Sequence, residues 1–149
     1  MLMKTHLVIG AFAVLFFLPH VESKLIFVGV ALIASVLPDI DSGFSTVGKK
    51  GIFRPLQMLT KHRGVIHSFT LCIAVSVIFA FFVPVLAFGF FLGYGLHLFV
   101  DAFTIQGIKP FWPLKEVSRG RVRVGGPIDE TLFLVFIIMD VILLVFIFV

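Results

Sequence analysis

Seven residues of this 149-residue chain have both the chemistry and the placement to hold a cation: His6, Asp39, Asp41, His62, His67, His97 and Asp101. His97 and Asp101 are four apart, which on a helix sets an imidazole and a carboxylate on one face about a turn from each other. Such a pair can share one divalent ion. Asp39 and Asp41 flank a single residue just after Pro38, where a turn or extended backbone lets two carboxylates face one ion or bridge two. His62 and His67 are five apart in His62-Arg63-Gly64-Val65-Ile66-His67-Ser68. That spacing fits one helical face poorly, so Gly64 is expected to mark a turn into a helix that folds His62 back toward His67. Mixed imidazole and carboxylate ligation favours zinc, manganese or iron over calcium, which asks for more oxygens.

Each feature alone has a plainer explanation. A lone histidine in a membrane is commonly a hydrogen-bonded packing residue, and Asp-x-Asp after proline is commonly a capped turn. The choice depends on where the surrounding elements deliver these groups.

Apolar residues make up 60% of the chain and charged residues 13%, against about 45–50% and about 25% in ordinary globular proteins. This excludes a cytosolic enzyme and a disordered chain, and it points to an integral membrane protein. The 20 phenylalanines against one tyrosine and one tryptophan suit contact with hydrocarbon. Cys72, the only cysteine, lies in an apolar run, so no disulfide framework exists. A formal charge of +4 in such a chain marks a cytoplasmic membrane face and calls for no nucleic-acid partner.

The apolar segments are 7–18, 25–37, 69–83, 85–100 and 132–149, separated mainly by two polar stretches, 38–68 and 101–131. Pro84 divides the third from the fourth and reads as a tight turn between antiparallel helices. The first two segments are short, roughly 18–20 Å of helix against about 30 Å of hydrocarbon. They must either extend through their polar flanks or end inside the leaflet. The expected architecture is a single all-α domain over residues 1–149, a polytopic bundle of about five membrane-embedded helices. If all five cross, the N-terminus and both polar stretches share one side, and of the twelve lysines and arginines only Lys24 falls on the other. That asymmetry predicts a multi-pass inner-membrane protein with its N-terminus and loops cytoplasmic. Lys4, a short apolar core and Val21-Glu22-Ser23 also imitate a signal peptide; retention is expected, because cleavage would discard His6.

In this arrangement four helix ends bring four imidazoles and three carboxylates to one cytoplasmic layer. Ionisable groups near hydrocarbon cost several kcal/mol unless they are paired or ligate metal, so the set reads as a metal site. Only Asp140 lies deep, which argues against a conducting ladder. Among weaker signals, Gly89, Gly93 and Gly95 allow close helix approach. Arg119, Arg121 and Arg123, alternating before Gly125-Gly126-Pro127, fit either a phosphate clamp or contacts to anionic headgroups. Trp112 reads as an interfacial anchor.

Thr5-His6, Leu37-Pro38-Asp39-Ile40-Asp41, His62-Arg63-Gly64-x-x-His67-Ser68 and Gly93-Tyr94-x-x-His97-x-x-x-Asp101-x-x-Thr104-x-x-Gly107, followed by Trp112-Pro113, resemble the YdjM-like membrane-bound metal-dependent hydrolase family over nearly the whole chain. In that resemblance the late acidic residue of the family falls on Glu130 as a further metal ligand, with Asp129 adjacent. The family is similar in turn to the zinc-dependent phospholipase C and P1-nuclease group, which implies phosphoester hydrolysis with two or three zinc ions. The resulting expectation is a hydrolase acting on a lipid or lipid-linked phosphoester. Asp39 or Asp41 would serve as bridging ligand or general base, Arg63 would stabilise phosphate charge, and Arg121 and Arg123 would bind substrate. A metal or proton transporter and a non-catalytic, metal-stabilised membrane module are the alternatives.

Overall fold

The computed structural model of the chain describes residues 1–41 and 64–148. They form an all-helical fold: α1 Met3–Phe17, α2 Lys24–Ala34, α3 Phe69–Phe82, α4 Pro84–Ala102 and α5 Pro127–Phe148. No strand occurs among the described residues; two isolated bridges, Thr104 with Val122 and Ile108 with Ser118, fold the α4–α5 connection onto itself. Three helical stretches, Met3–His20, Pro84–Ala102 and Pro127–Ile147, are long and apolar enough to cross a membrane. The other two helices, of 11 and 14 residues, are shorter than the roughly 20 residues a perpendicular span requires.

Several helix ends differ from the limits of the apolar runs, and the differences bear on the site. α1 starts at Met3, so His6 is already helical. α2 stops at Ala34, and a 3-10 turn over Leu37–Asp41 carries Asp39, since Pro38 lacks the amide that would continue the helix. α4 runs through Asp101 to Ala102. α5 starts at Pro127, a favoured first helical position, which draws Asp129 and Glu130 into its first turn.

Pro84 breaks the long apolar stretch as expected: α3 ends at Phe82, Val83 is non-helical, and α4 opens on the proline. The hairpin closes through Phe79 against Phe90 near the turn, ring centroids 5.2 Å apart. Farther from the turn, the Tyr94 hydroxyl donates to the Ile66 carbonyl.

The α2–α4 contact sets the position of His97. A Cβ on Gly93 would lie 2.1 Å from the Ala31 carbonyl oxygen, and one on Gly89 would lie 3.2 Å from that of Phe27. Only glycine permits the first approach. One turn on, the same stripe brings His97 to Ser35. A Cβ on Gly95 would meet nothing within 4 Å, so this glycine, expected with the other two, takes no part. The core beside the contact gathers Ala34, Cys72, Phe90, Tyr94, Leu98 and Ile108. α5 packs on α1, with Phe12 edge-on to Phe136 at 5.4 Å, and turns most of its apolar residues outward.

Candidate metal centre

The start of α1, the turn after α2, the residues preceding α3 and the end of α4 meet at one end of the bundle. His6 Nε2 lies 3.3 Å from Asp101 Oδ1. His97 Nε2 lies 3.9 Å from Asp39 Oδ1 and 4.0 Å from Asp101 Oδ2, and His67 Nε2 lies 3.9 Å from Asp101 Oδ2. The His6 and His97 rings stack at 3.9 Å, and His67 stands at 67° to His97. Five of the seven expected residues therefore share one site. His62, Arg63 and the side chain of Asp41 lie outside the described residues.

Among the described residues two sets have the spacing for an ion: His6, His97 and Asp101, and Asp39, His67 and His97, with ligand atoms in each within 4.8 Å of one another. His97 belongs to both, so the sets adjoin. One imidazole nitrogen serves one ion, and two ions here would have to divide the carboxylates between them.

The His97 ring is oriented from behind. Its Nδ1 is 2.8 Å from the Ser35 carbonyl, which can only accept, so the proton is on Nδ1 and the Nε2 lone pair points into the cluster. Histidines that ligate metal commonly have this outer hydrogen bond. His97 Nε2 and His6 Nδ1 are buried without a hydrogen-bond partner, a costly state in a dry site that a coordinated cation would relieve at His97. The donor set of imidazoles and carboxylates fits a divalent transition metal or zinc.

Other residues of the motifs close the surroundings. The Thr104 hydroxyl donates to the Asp101 carbonyl at 2.7 Å, and the Gly107 amide donates to the Thr104 hydroxyl at 3.2 Å. Gly107 has φ of 65°; the Asp101-x-x-Thr104-x-x-Gly107 spacing thus describes how α4 ends. Ser68 caps α3, accepting from the Leu71 amide, and donates to the Val65 carbonyl at 2.6 Å. This cap and the Tyr94 bond to Ile66 hold the backbone on both sides of His67.

Asp101 is buried and also accepts from the Met1 ammonium. Asp39 is the more open carboxylate, 14% exposed. Burial pushes its pKa above the ordinary aspartate range, with His6 and His67 pulling the other way. Cation binding opposes that shift.

Glu130 is not brought to the cluster. It pairs at 2.6 Å with Lys4, both side chains nearly half exposed, because its position on α5 points it along the outside of α1. The adjacent Asp129 is the buried acid. It accepts from the Thr5 hydroxyl at 2.6 Å, the Leu2 amide at 3.0 Å and the Gly125 amide at 2.8 Å. Asp129 therefore fastens the start of α1, and with it His6, without reaching the cluster. Arg121 and Arg123 are exposed on the connection before α5. Spacing alone did not reveal the Ser35 carbonyl, the Met1 amine or the positioning role of Asp129; for Asp129 the only signals were its place beside Glu130 and the Thr5-His6 pair.

No curated protein and no solved structure matches this chain. A family match does cover all of it, residues 1–149, described as YdjM inner membrane protein. The apolar helices agree with an inner membrane protein, and the chain belongs to the YdjM inner membrane protein family.

Proposed function

We propose that the protein is a metal-dependent membrane hydrolase acting on a lipid or lipid-linked phosphoester. The observation that carries this reading is the His97 ring, held by the Ser35 carbonyl with its free nitrogen among His6, Asp39 and Asp101. A packing histidine needs no such company, and buried ionisable groups of this number call for a ligand. His6, His97 and Asp101 would hold one ion, with Asp39 and His67 contributing to a second; zinc fits best, and manganese or iron fit the same donors. Bound divalent ions supply Lewis acidity toward a phosphoryl oxygen and acidify water.

The chain's own residues do the rest. Asp39, the less buried carboxylate, is placed to take a proton from an attacking water. Asp101 and the His97 ring are fixed by buried bonds and keep the site from rearranging. Arg121 and Arg123, exposed on the α4–α5 connection, engage phosphate or headgroup charge approaching from water. The basic connection argues that this end faces the cytoplasm. Confinement of the ionisable groups to one layer favours hydrolysis over conduction.

Protein purified in mild detergent should contain stoichiometric divalent metal and should hydrolyse at least one of bis(p-nitrophenyl) phosphate and dioleoyl phosphatidate. Both properties should fall together in His97→Ala. A metal-free protein would sink the reading. Full metal with no turnover across a phosphoester panel would favour a metal-stabilised module, and metal flux into proteoliposomes a transporter. In a Cys72→Ser background, a cysteine placed at Ser118 should resist impermeant reagents added to intact cells.

A further inference from the structure

A groove of about 510 Å³ runs down the side of the bundle between α1, α4 and α5, walled by Ile9 and Ala13, by Leu92 and Leu96, and by Leu132 and Phe136. We infer that this groove seats one fatty acyl chain of a phospholipid whose phosphoester headgroup lies at the His/Asp cluster. The inference rests on the hydrolase reading and adds to it the substrate class and the side of entry.

Three observations carry it. The groove adjoins the site: Met1 is part of its lining, and the amine of the same residue contacts Asp101 of the cluster. Its lining is wholly apolar, so it offers nothing to a polar ligand, to a peptide backbone or to the headgroup itself. Its length is on the order of one leaflet. The residues along it run from Leu92 on α4 to Phe103 just past the end of that helix, and from Met1 to Phe17 on the α1 side, which at the rise of a helix is roughly 16–24 Å, on the order of half of the ~30 Å hydrocarbon core. An acyl chain ends where the groove ends, whereas a long polyprenyl chain would outrun it.

One small side chain, Ala13, lies in a lining otherwise made of larger apolar residues. Ala13 stands one turn beyond Ile9 on α1, at a position where a larger residue would project into the space. Phe12 and Phe136 close the α1–α5 side by their edge-to-face contact. The outer face of α5, in contrast, presents Ile138 and Val145 singly to the surroundings, without a neighbouring helix to form a second wall.

The test uses intact protein in vesicles of dioleoyl phosphatidylglycerol containing a trace of phosphatidate with a diazirine near the middle of one acyl chain. After irradiation, peptides are mapped by mass spectrometry. Labelling at the α1 and α4 groove residues should exceed labelling at Ile138 and Val145 by at least about fivefold, and excess unlabelled dioleoyl phosphatidate should suppress it while undecaprenyl phosphate, a long polyprenyl phosphate, should not. Ala13→Phe and Leu96→Trp should each lower groove labelling severalfold with metal content retained; if one variant fails to fold, the other and the wild-type map still decide. Uniform labelling of all lipid-facing helices would overturn the inference, as would suppression by undecaprenyl phosphate alone. His97→Ala separates the two readings. It should lose metal and turnover but keep groove labelling; wild-type protein that labels without hydrolysing retains the groove and refutes the enzyme, and wild-type protein that hydrolyses without groove labelling refutes the groove.

Discussion

At one end of the bundle His6, His67, His97 and Asp101, all buried, and the partly buried Asp39 stand within a few ångströms of one another between four helix ends. Far along α5, Asp140 is placed among leucine, isoleucine and methionine, and its Oδ1 is buried without a hydrogen-bond partner. Both regions put ionisable groups into apolar surroundings, and they differ in company. In the first, every charge-bearing group has others near enough to share a cation, and a backbone carbonyl orients at least one ring. In the second, a single carboxyl has no ligand set around it. An isolated intramembrane acid is a local penalty, whereas a converged set is a site.

The largest effect expected from this comparison is at the converged end. Asp101→Asn keeps the shape and removes the charge shared by His6 and the Met1 amine. Metal affinity should fall by more than the ~10–100-fold typical of losing an outer-shell partner, and phosphoester turnover should fall in step with occupancy while helicity persists. Unchanged metal content measured by plasma mass spectrometry would erase the distinction between the two regions.

A smaller loss is expected one layer out. Asp129→Ala removes the acceptor for Thr5, Leu2 and Gly125 together, freeing the start of α1 and displacing His6. Metal affinity should drop on the order of 10-fold, and Thr5→Val, which removes one of those bonds, should drop it less. Glu130→Gln should leave metal content intact, since the half-exposed Lys4 pair is worth roughly 0–1 kcal/mol. If Glu130→Gln lost metal and Asp129→Ala did not, the assignment of the two acids would be reversed.

These adjacent acids show where sequence reading reached its limit. The polar end of α4 was legible because His97, Asp101, Thr104 and Gly107 recur at helical and turn spacings, and the α3–α4 hairpin was legible because a proline interrupts an apolar run. Asp129 and Glu130 are equivalent in type and differ only in which side of α5 they occupy. That depends on how α5 rolls against α1. The Ser35 carbonyl left no trace either, since every residue has a carbonyl; its role follows from Gly93 letting α4 approach Ala31 one turn away. α1 began earlier than its apolar run because Lys4 and Thr5 find partners on α5, which no property of α1 alone records.

Asp39 sharpens the comparison through pH. Burial raises its pKa in the folded protein, so its ionisation works against folding at pH above the unfolded value of about 4. Below that value both states hold the proton and the penalty vanishes. Metal-free Asp39→Asn should therefore melt a few degrees higher than metal-free wild type near neutrality, and the gap should close on acidification to about pH 3. With metal added the order should reverse, because the wild-type carboxylate then has a cation. Calorimetry in a chelator and in excess zinc reads both halves; a variant that stays more stable in zinc would remove Asp39 from the ligand set.

The smallest effect on metal and catalysis is expected at Asp140. It lies on the helix whose apolar residues are mostly turned outward, and its carboxyl faces neither of the two ion-sized clusters. An aspartate at the centre of a membrane helix costs about 2.5–3.5 kcal/mol on insertion scales, and no bond made by its Oδ1 offsets that cost. Asp140→Leu should therefore keep full metal content and turnover, while thermal stability in detergent stays level or rises. Asp140→Asn, which retains polarity without charge, should fall between the two. A loss of activity at full metal occupancy in Asp140→Leu would show that the deep carboxyl communicates with the site, and the two regions would then have to be treated as one polar path instead of a site and an isolated acid.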